Sequence, residues 1–260
     1  MLHKSIDGVH ESDTVLRVLD HNAKITTRYG GGFVESIDGV AGGEPGGRVH
    51  DWFFYVNGVE SSEGAADYSL HDGDTIWWDY RDWSAAMRVP AVVGSYPAPF
   101  RYGYQGGPHP VAVRCLGGGG ACGAVSRRLG NAGAELAGTN GDRSQVRVLV
   151  GPWGRIRGDA AARQIAAGPA TSGVFAGFHA RAAGFELTAL DPGGSAVREL
   201  GPGTGLVAAV REGDHAPTWV ITGGDRAGVA AAAGILDRGD LRDRYAVAVR
   251  RGHTIPLPVQ

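Results

Sequence analysis

The chain has 260 residues, 43% hydrophobic and 20% charged, with a formal net charge of −2. That length accommodates one or two folded domains, and the near-neutral balance does not support the basic footprint of a nucleic-acid binder. No apolar run reaches the roughly 18 residues of a membrane-crossing helix, so no transmembrane segment is expected. Met1-Leu2-His3-Lys4 leads into polar sequence rather than a signal peptide. Residues 2–6 suggest half of a strand whose partner would lie upstream, as if the start were truncated.

Ser12-Asp13-Thr14 precede Val15, Leu16, Val18 and Leu19, an N-cap cluster before a helical apolar stripe that should end near His21-Asn22. Short strands are expected at 25–28 and 33–37 around Gly30-Gly31-Gly32, then a flexible loop at 42–47. Residues 51–83 concentrate aromatic side chains: Trp52, Phe53, Phe54, Tyr55, Tyr68, Trp77, Trp78, Tyr80 and Trp83. Strand-like runs at 52–56 and 75–80 flank a turn-rich middle that closes on Asp72-Gly73-Asp74. One amphipathic helix on a small mixed sheet describes a β-grasp-like domain over residues 1–88. So many rings exceed the needs of so small a core, and the surplus is expected on a binding surface.

Residues 89–110 are rich in proline and glycine and also carry Tyr96, Phe100, Tyr102 and Tyr104. They are expected to form an extended linker that docks on both domains. Residues 111–260 alternate strand and helix signals. Strands are expected at 111–115, 146–150, 174–178, 185–190, 206–210, 219–222 and 245–249, and helices at 121–136, 159–167 and 225–236. Two prolines bar the last segment, 254–259, from a central strand position. This is the pattern of a layered α/β domain with a partly antiparallel sheet, which makes the whole chain a two-domain α+β protein. Strand, glycine turn, aspartate cap and alanine-rich helix occur twice, at 146–167 and 219–236, a hint of two related units.

Cys115 and Cys122 are wrongly spaced for zinc. They can close a short disulfide loop or stand as buried thiols; the bridge is the reading adopted, and it places the protein outside the cytoplasm. Residues 118–123 match GxGxxG between an expected strand and helix, but the acidic residue due about 20 positions on is missing. A glycine-rich turn is therefore preferred to a nucleotide site. Asp72, Asp74 and Asp79 are assigned to turn chemistry rather than to calcium. The sequence holds no HExxH, GxSxG, P-loop or CxxC. No catalytic residue, metal site or cofactor is assigned.

Trp52-Phe53-Phe54-Tyr55-Val56-Asn57-Gly58 fits W-x-x-Y-V-N-G, and residues 64–74 fit G-x-x-x-Y-x-L-x-D-G-D. With residues 14–19 and 32–39, these ordered runs resemble the transcobalamin C-terminal-like domain, a small β-grasp module. The resemblance covers about residues 1–88. It implies an extracytoplasmic setting and a domain that forms one wall of a corrinoid cleft. In the cobalamin carriers the other wall is an α/α barrel, which this chain lacks, so a separate protein would supply it. The cobalt-ligating histidine of that family belongs to the barrel, and no residue here inherits its role.

The leading expectation is thus a non-enzymatic, extracytoplasmic ligand-binding protein, with a corrinoid (cobalamin) as the specific ligand and no cofactor of its own. Trp52, Phe54, Trp77, Tyr80 and Trp83 are the candidate ligand-binding residues. Alternation along a strand sends Trp77 and Asp79 to one face and Trp78 and Tyr80 to the other. Two alternatives stand beside it. One is a cell-surface module that binds another protein or assembles with itself through sheet edges. The other is an enzyme that uses the turn at 118–123.

Overall fold

The structure is a computed structural model that describes residues 13–117, 119–138, 144–182 and 184–260. The strand expected at 2–6 lies outside the described residues, as do Ser12 and Gly118. The chain folds into two α+β domains joined by a docked linker.

Helix α1 (Val15–Asp20) starts where the Thr14 side chain accepts a hydrogen bond from the Arg17 amide. Strands β1 (Ile25–Arg28), β2 (Phe33–Ile37) and β3 (Val40–Ala41) form one sheet in the order β1-β2-β3. Strands β4 (His50–Val56), β5 (Val59–Glu60) and β6 (Ile76–Asp82) form another, in the order β5-β4-β6. All four pairings are antiparallel. Among the described residues the domain therefore has two small antiparallel sheets rather than one mixed sheet. Its core is Val15 and Val18 of α1 with Val56, Ala65 and Leu70, onto which Phe54, Tyr68, Ile76 and Trp78 pack. Phe54 and Trp78 share a face with Val56 and Ile76, so strand alternation alone brings these rings to α1.

The linker is ordered by both domains. Val89, Val92, Val93, Tyr96, Phe100 and Tyr104 are buried. The Val92 amide donates to the Gly58 carbonyl and the Val93 amide to that of Tyr245. Gly58 sits at φ +75°, and a Cβ there would lie 2.8 Å from the Val92 carbonyl oxygen, so this approach requires glycine. One helical turn, α2 (Ala98–Arg101), interrupts the extended path. It brings Phe100 against Trp219 at 4.7 Å between ring centroids.

The α/β domain begins with β7 (Val111–Cys115) and α3 (Gly120–Asn131). The helix stops short of the expected 136, because Gly133 at φ +92° turns the chain into a short edge strand, β8 (Leu136–Ala137). Next come β9 (Val146–Pro152), α4 (Trp153–Ile156), α5 (Ala160–Ala166) and α6 (Pro169–Ser172). Asp159 caps α5 by accepting from the Ala161 amide. A three-stranded sheet follows: β10 (Ala176–Arg181), β11 (Gly184–Leu190) and β12 (Ala196–Glu199). The chain closes with β13 (Gly205–Val210), β14 (Thr218–Gly223), α7 (Arg226–Gly234), α8 (Arg238–Leu241), β15 (Ala246–Arg250) and β16 (His253–Leu257).

The main sheet has seven strands in the order β16-β15-β13-β14-β9-β7-β8. Its β14, β9, β7 and β8 run parallel, and antiparallel strands complete it on the β13 side. Strand β16, which carries Pro256 and is followed by Pro258, takes an edge, as a proline in a sheet requires. Strands buried on both faces read as continuous Val, Ile, Leu and Ala runs. Helices α3 and α7 cover one face through Val125, Leu129, Val229 and Ala232. The other face is covered by α4 and α5, through Trp153, Ile156 and Ile165, with Leu187 of β11. The two similar segments are thus neighbours in the sheet, but their helices lie on opposite faces, so the likeness does not extend to a repeated unit. Cys115 and Cys122 form a disulfide with 6.0 Å between Cα atoms, tying the end of β7 to the first turn of α3. Among the described residues no helix is long and apolar enough to cross a membrane.

Candidate functional site: the aromatic face of the N-terminal domain

The register of β4 with β6 decides where each ring goes. Trp52 pairs with Tyr80, Phe54 with Trp78 and Val56 with Ile76; between them Phe53 pairs with Asp79 and Tyr55 with Trp77. Directly paired residues share a face. One face therefore carries Trp52, Phe54, Trp78 and Tyr80, and the other Phe53, Tyr55, Trp77, Asp79 and Arg81.

The register is fixed by a polar clasp. Asn57 and Gly58 both have positive φ, +50° and +75°, and form the two-residue turn from β4 to β5. The Asn57 amide donates to Asp74 Oδ1 at 2.7 Å and its oxygen accepts from the Thr75 amide at 2.9 Å. The His71 amide donates to Asp74 Oδ2. The asparagine of W-x-x-Y-V-N-G and the last aspartate of D-G-D thus hold each other. Asp79 belongs elsewhere, in the contact between domains, so the three aspartates do not gather.

The first face has two zones. At its inner end Phe54 and Trp78, 5.2 Å apart, close the domain core. At its outer end Tyr80 lies between His50 and Trp52, with ring centroids 5.3 Å away on each side. These three rings are only partly buried and belong to none of the three core clusters. Their orientation is nonetheless set: Trp52 Nε1 donates to the Val40 carbonyl at 2.8 Å, and the Tyr80 hydroxyl to that of Ala41 at 3.0 Å. His50 Nδ1 bonds the Arg48 carbonyl oxygen at 2.9 Å. Trp83, also partly buried, donates its Nε1 to Asp51.

The second face is consumed by the α/β domain. Tyr55 is fully buried and stacks on Trp77 at 5.3 Å, and Trp77 meets Tyr245 at 5.7 Å. Arg81, 5% exposed, lies over the Phe53 ring, donates to the Tyr55 hydroxyl, and pairs with Glu60 at 3.3 Å and Asp79 at 3.6 Å. The Tyr245 hydroxyl donates to Asp79, and the Val89 amide to Glu60. Burial pushes the Asp79 carboxyl above its ordinary range, although Tyr245 and Arg81 oppose this. It also raises the Tyr55 and Tyr245 phenols well above theirs, so both are neutral: Tyr55 accepts from Arg81, and Tyr245 donates to Asp79. Burial opposes the charge on Arg81, yet its acidic and phenolic neighbours raise its pKa overall.

Of the five residues expected to bind ligand, Trp52 and Tyr80 come together. Phe54 adjoins them on the same face but serves the core, Trp83 is held at the edge by Asp51, and Trp77 points to the opposite side. His50 was missed by the sequence reading. Its signal was its place two residues before Trp52, on the same side of the strand.

Residues 12–82 match the family model of a domain of unknown function, DUF4430. It is a transcobalamin-like domain family. The DUF4430 match ends with β6 and takes in both turn motifs and every ring of the aromatic face except Trp83. No curated protein matches the chain.

Proposed function

We propose that the protein is a non-enzymatic, extracytoplasmic ligand-binding protein. Its N-terminal domain offers the Trp52–Tyr80–His50 ring surface to a bulky, flat, partly apolar small molecule. A corrinoid such as cobalamin is the specific candidate, and a separate protein supplies the opposite wall. The observation that carries this reading is the distribution of rings: three adjoining rings are anchored by hydrogen bonds yet claimed by no core. Flat aromatic faces bury large areas at small entropic cost, and rings already fixed lose little freedom on binding. Phe54 backs the surface from the core side, Trp83 borders it, and Trp77 holds the domain to its neighbour. The transcobalamin-like DUF4430 match supports the ligand class. The Cys115–Cys122 bridge supports an oxidising compartment.

The test is a cobalamin titration of the full chain, followed by corrinoid absorbance and tryptophan fluorescence. Saturable quenching is expected; a flat titration at concentrations well above those of the protein would overturn the proposal.

One observation favours a second reading, a surface module that binds protein or assembles with itself. At the tip between β1 and β2, Tyr29 is 87% exposed at φ +54° and meets Phe33, itself 38% exposed, edge to face. Size-exclusion chromatography of wild type and Tyr29→Ser decides it: concentration-dependent assembly that the substitution abolishes supports this reading, and a monomer throughout removes the self-assembly arm.

A further inference from the structure

The carboxyl ends of three parallel strands lie side by side in the main sheet, since Cys115 of β7 pairs with Val150 of β9, and Pro152 of β9 with Gly223 of β14. The chain leaves them in opposite directions. Helices α3 and α7, which follow β7 and β14, pack on one face; α4, which follows the middle strand β9, packs on the other. Diverging connections of this kind open a crevice outside the strand ends, the usual ligand position in parallel α/β sheets. Such a crevice of about 450 Å³ is present, lined by Cys115, Leu116, Gly117, Pro152, Arg155 and Arg226.

Its charge is one-sided. The two ionisable residues of the lining are arginines, delivered by two different helices, and no carboxylate joins them. Among the described residues neither arginine has an ion-pair partner, whereas Arg114 and Arg147 nearby in the sheet both pair with Asp159. Asp225, next to Arg226 in sequence, is already committed: Oδ1 accepts from the Gly228 amide and Oδ2 from that of Gly203. Two arginines and no carboxylate give the crevice lining an unbalanced positive charge. Their planar forks match the oxygens of a phosphate group. The disulfide braces the Cys115 wall of the crevice against α3.

We propose that this crevice binds a phosphorylated small molecule through its phosphate group, clamped between Arg155 and Arg226. The site lies in the α/β domain and does not depend on the aromatic face. The test uses the full, oxidised chain with inorganic pyrophosphate as probe, by calorimetric titration and thermal denaturation against potassium chloride of equal ionic strength. Wild type is expected to bind saturably and to melt higher than in chloride. Arg155→Gln and Arg226→Gln should each weaken binding by about tenfold or more, the loss expected for a charge-assisted hydrogen bond. Both side chains are exposed, so the melting temperature without anion should stay unchanged, and cobalamin titrations of the variants should match wild type. No pyrophosphate effect beyond that of chloride, or undiminished binding in the double variant, would overturn the proposal.

Discussion

Asn57 carries two jobs with one side chain. It adopts a left-handed backbone conformation and, at 1% exposure, joins two turns 17 residues apart through Asp74 and Thr75. Asn57→Ala would leave the part-buried Thr75 amide and an Asp74 carboxylate oxygen without this partner and keep the strained backbone, a loss of about 2–4 kcal/mol. Urea denaturation should show that loss, and an unchanged midpoint would refute the clasp. The sequence revealed Asn57-Gly58 and Asp72-Gly73-Asp74 as separate turn signals. That they hold each other is a contact across the sheet, which local propensity does not encode. Tyrosines set a second expectation. Burial raises Tyr68 to about 12, and Tyr55 and Tyr245 well above the ordinary value. A phenol whose pKa is raised on folding contributes stability that is complete below the unfolded value of about 10 and is lost as pH rises toward the folded one. Stability should therefore fall from about pH 10 upward, and Tyr68→Phe should flatten the decline. Urea midpoints measured across that range, with equal slopes in wild type and variant, would contradict the assignment.

At the scale of elements, the β4–β6 pair answers a question that its sequence leaves open. Alternation assigns Trp77 and Trp78 to opposite faces but not which one is core. Each packs against a different body, Trp78 against α1 and Trp77 against the α/β domain. Long strands and capped helices were legible because their periods and caps are local. Four-residue helices such as α4, and the exposed strand β12, were not, because they are too short or too polar to show a period. The Arg81 cluster was equally hidden, since Glu60, Asp79 and Arg81 look like surface charges in sequence. Removing the cation leaves the buried Asp79 without a charge partner and Glu60 with only the exposed Arg88, so Arg81→Ala should cost about 3–5 kcal/mol. Because burial raises the Asp79 pKa, its protonated form favours the fold; that contribution is complete below the unfolded value and fades as pH rises through the folded one. The penalty of Arg81→Ala should accordingly shrink on mild acidification. Guanidinium melts at neutral and acidic pH test this, and a penalty that grows in acid would refute it.

Across the whole molecule, the two faces of one small sheet divide the labour. One face joins the domains through Tyr55, Trp77, Arg81 and Tyr245, and this rigid mount holds the other face in place. The α/β domain thus supports the aromatic surface from behind, while its own strand ends carry a separate crevice. The two-domain α+β organisation was legible from the composition of residues 89–110 and the alternation after them. How tightly the domains pack was not, because the contact joins Asp79 to Tyr245, 166 residues apart. The central claim is that the outer rings, and not the aromatic run as a whole, meet the ligand. Cobalamin titrations of wild type, Trp52→Ala and Tyr80→Ala, each checked for an unchanged far-ultraviolet spectrum, test it directly. The account predicts saturable binding by wild type and at least about a tenfold loss in each variant, the scale of one stacked ring. Wild type without binding, or variants that bind as wild type does, would contradict it.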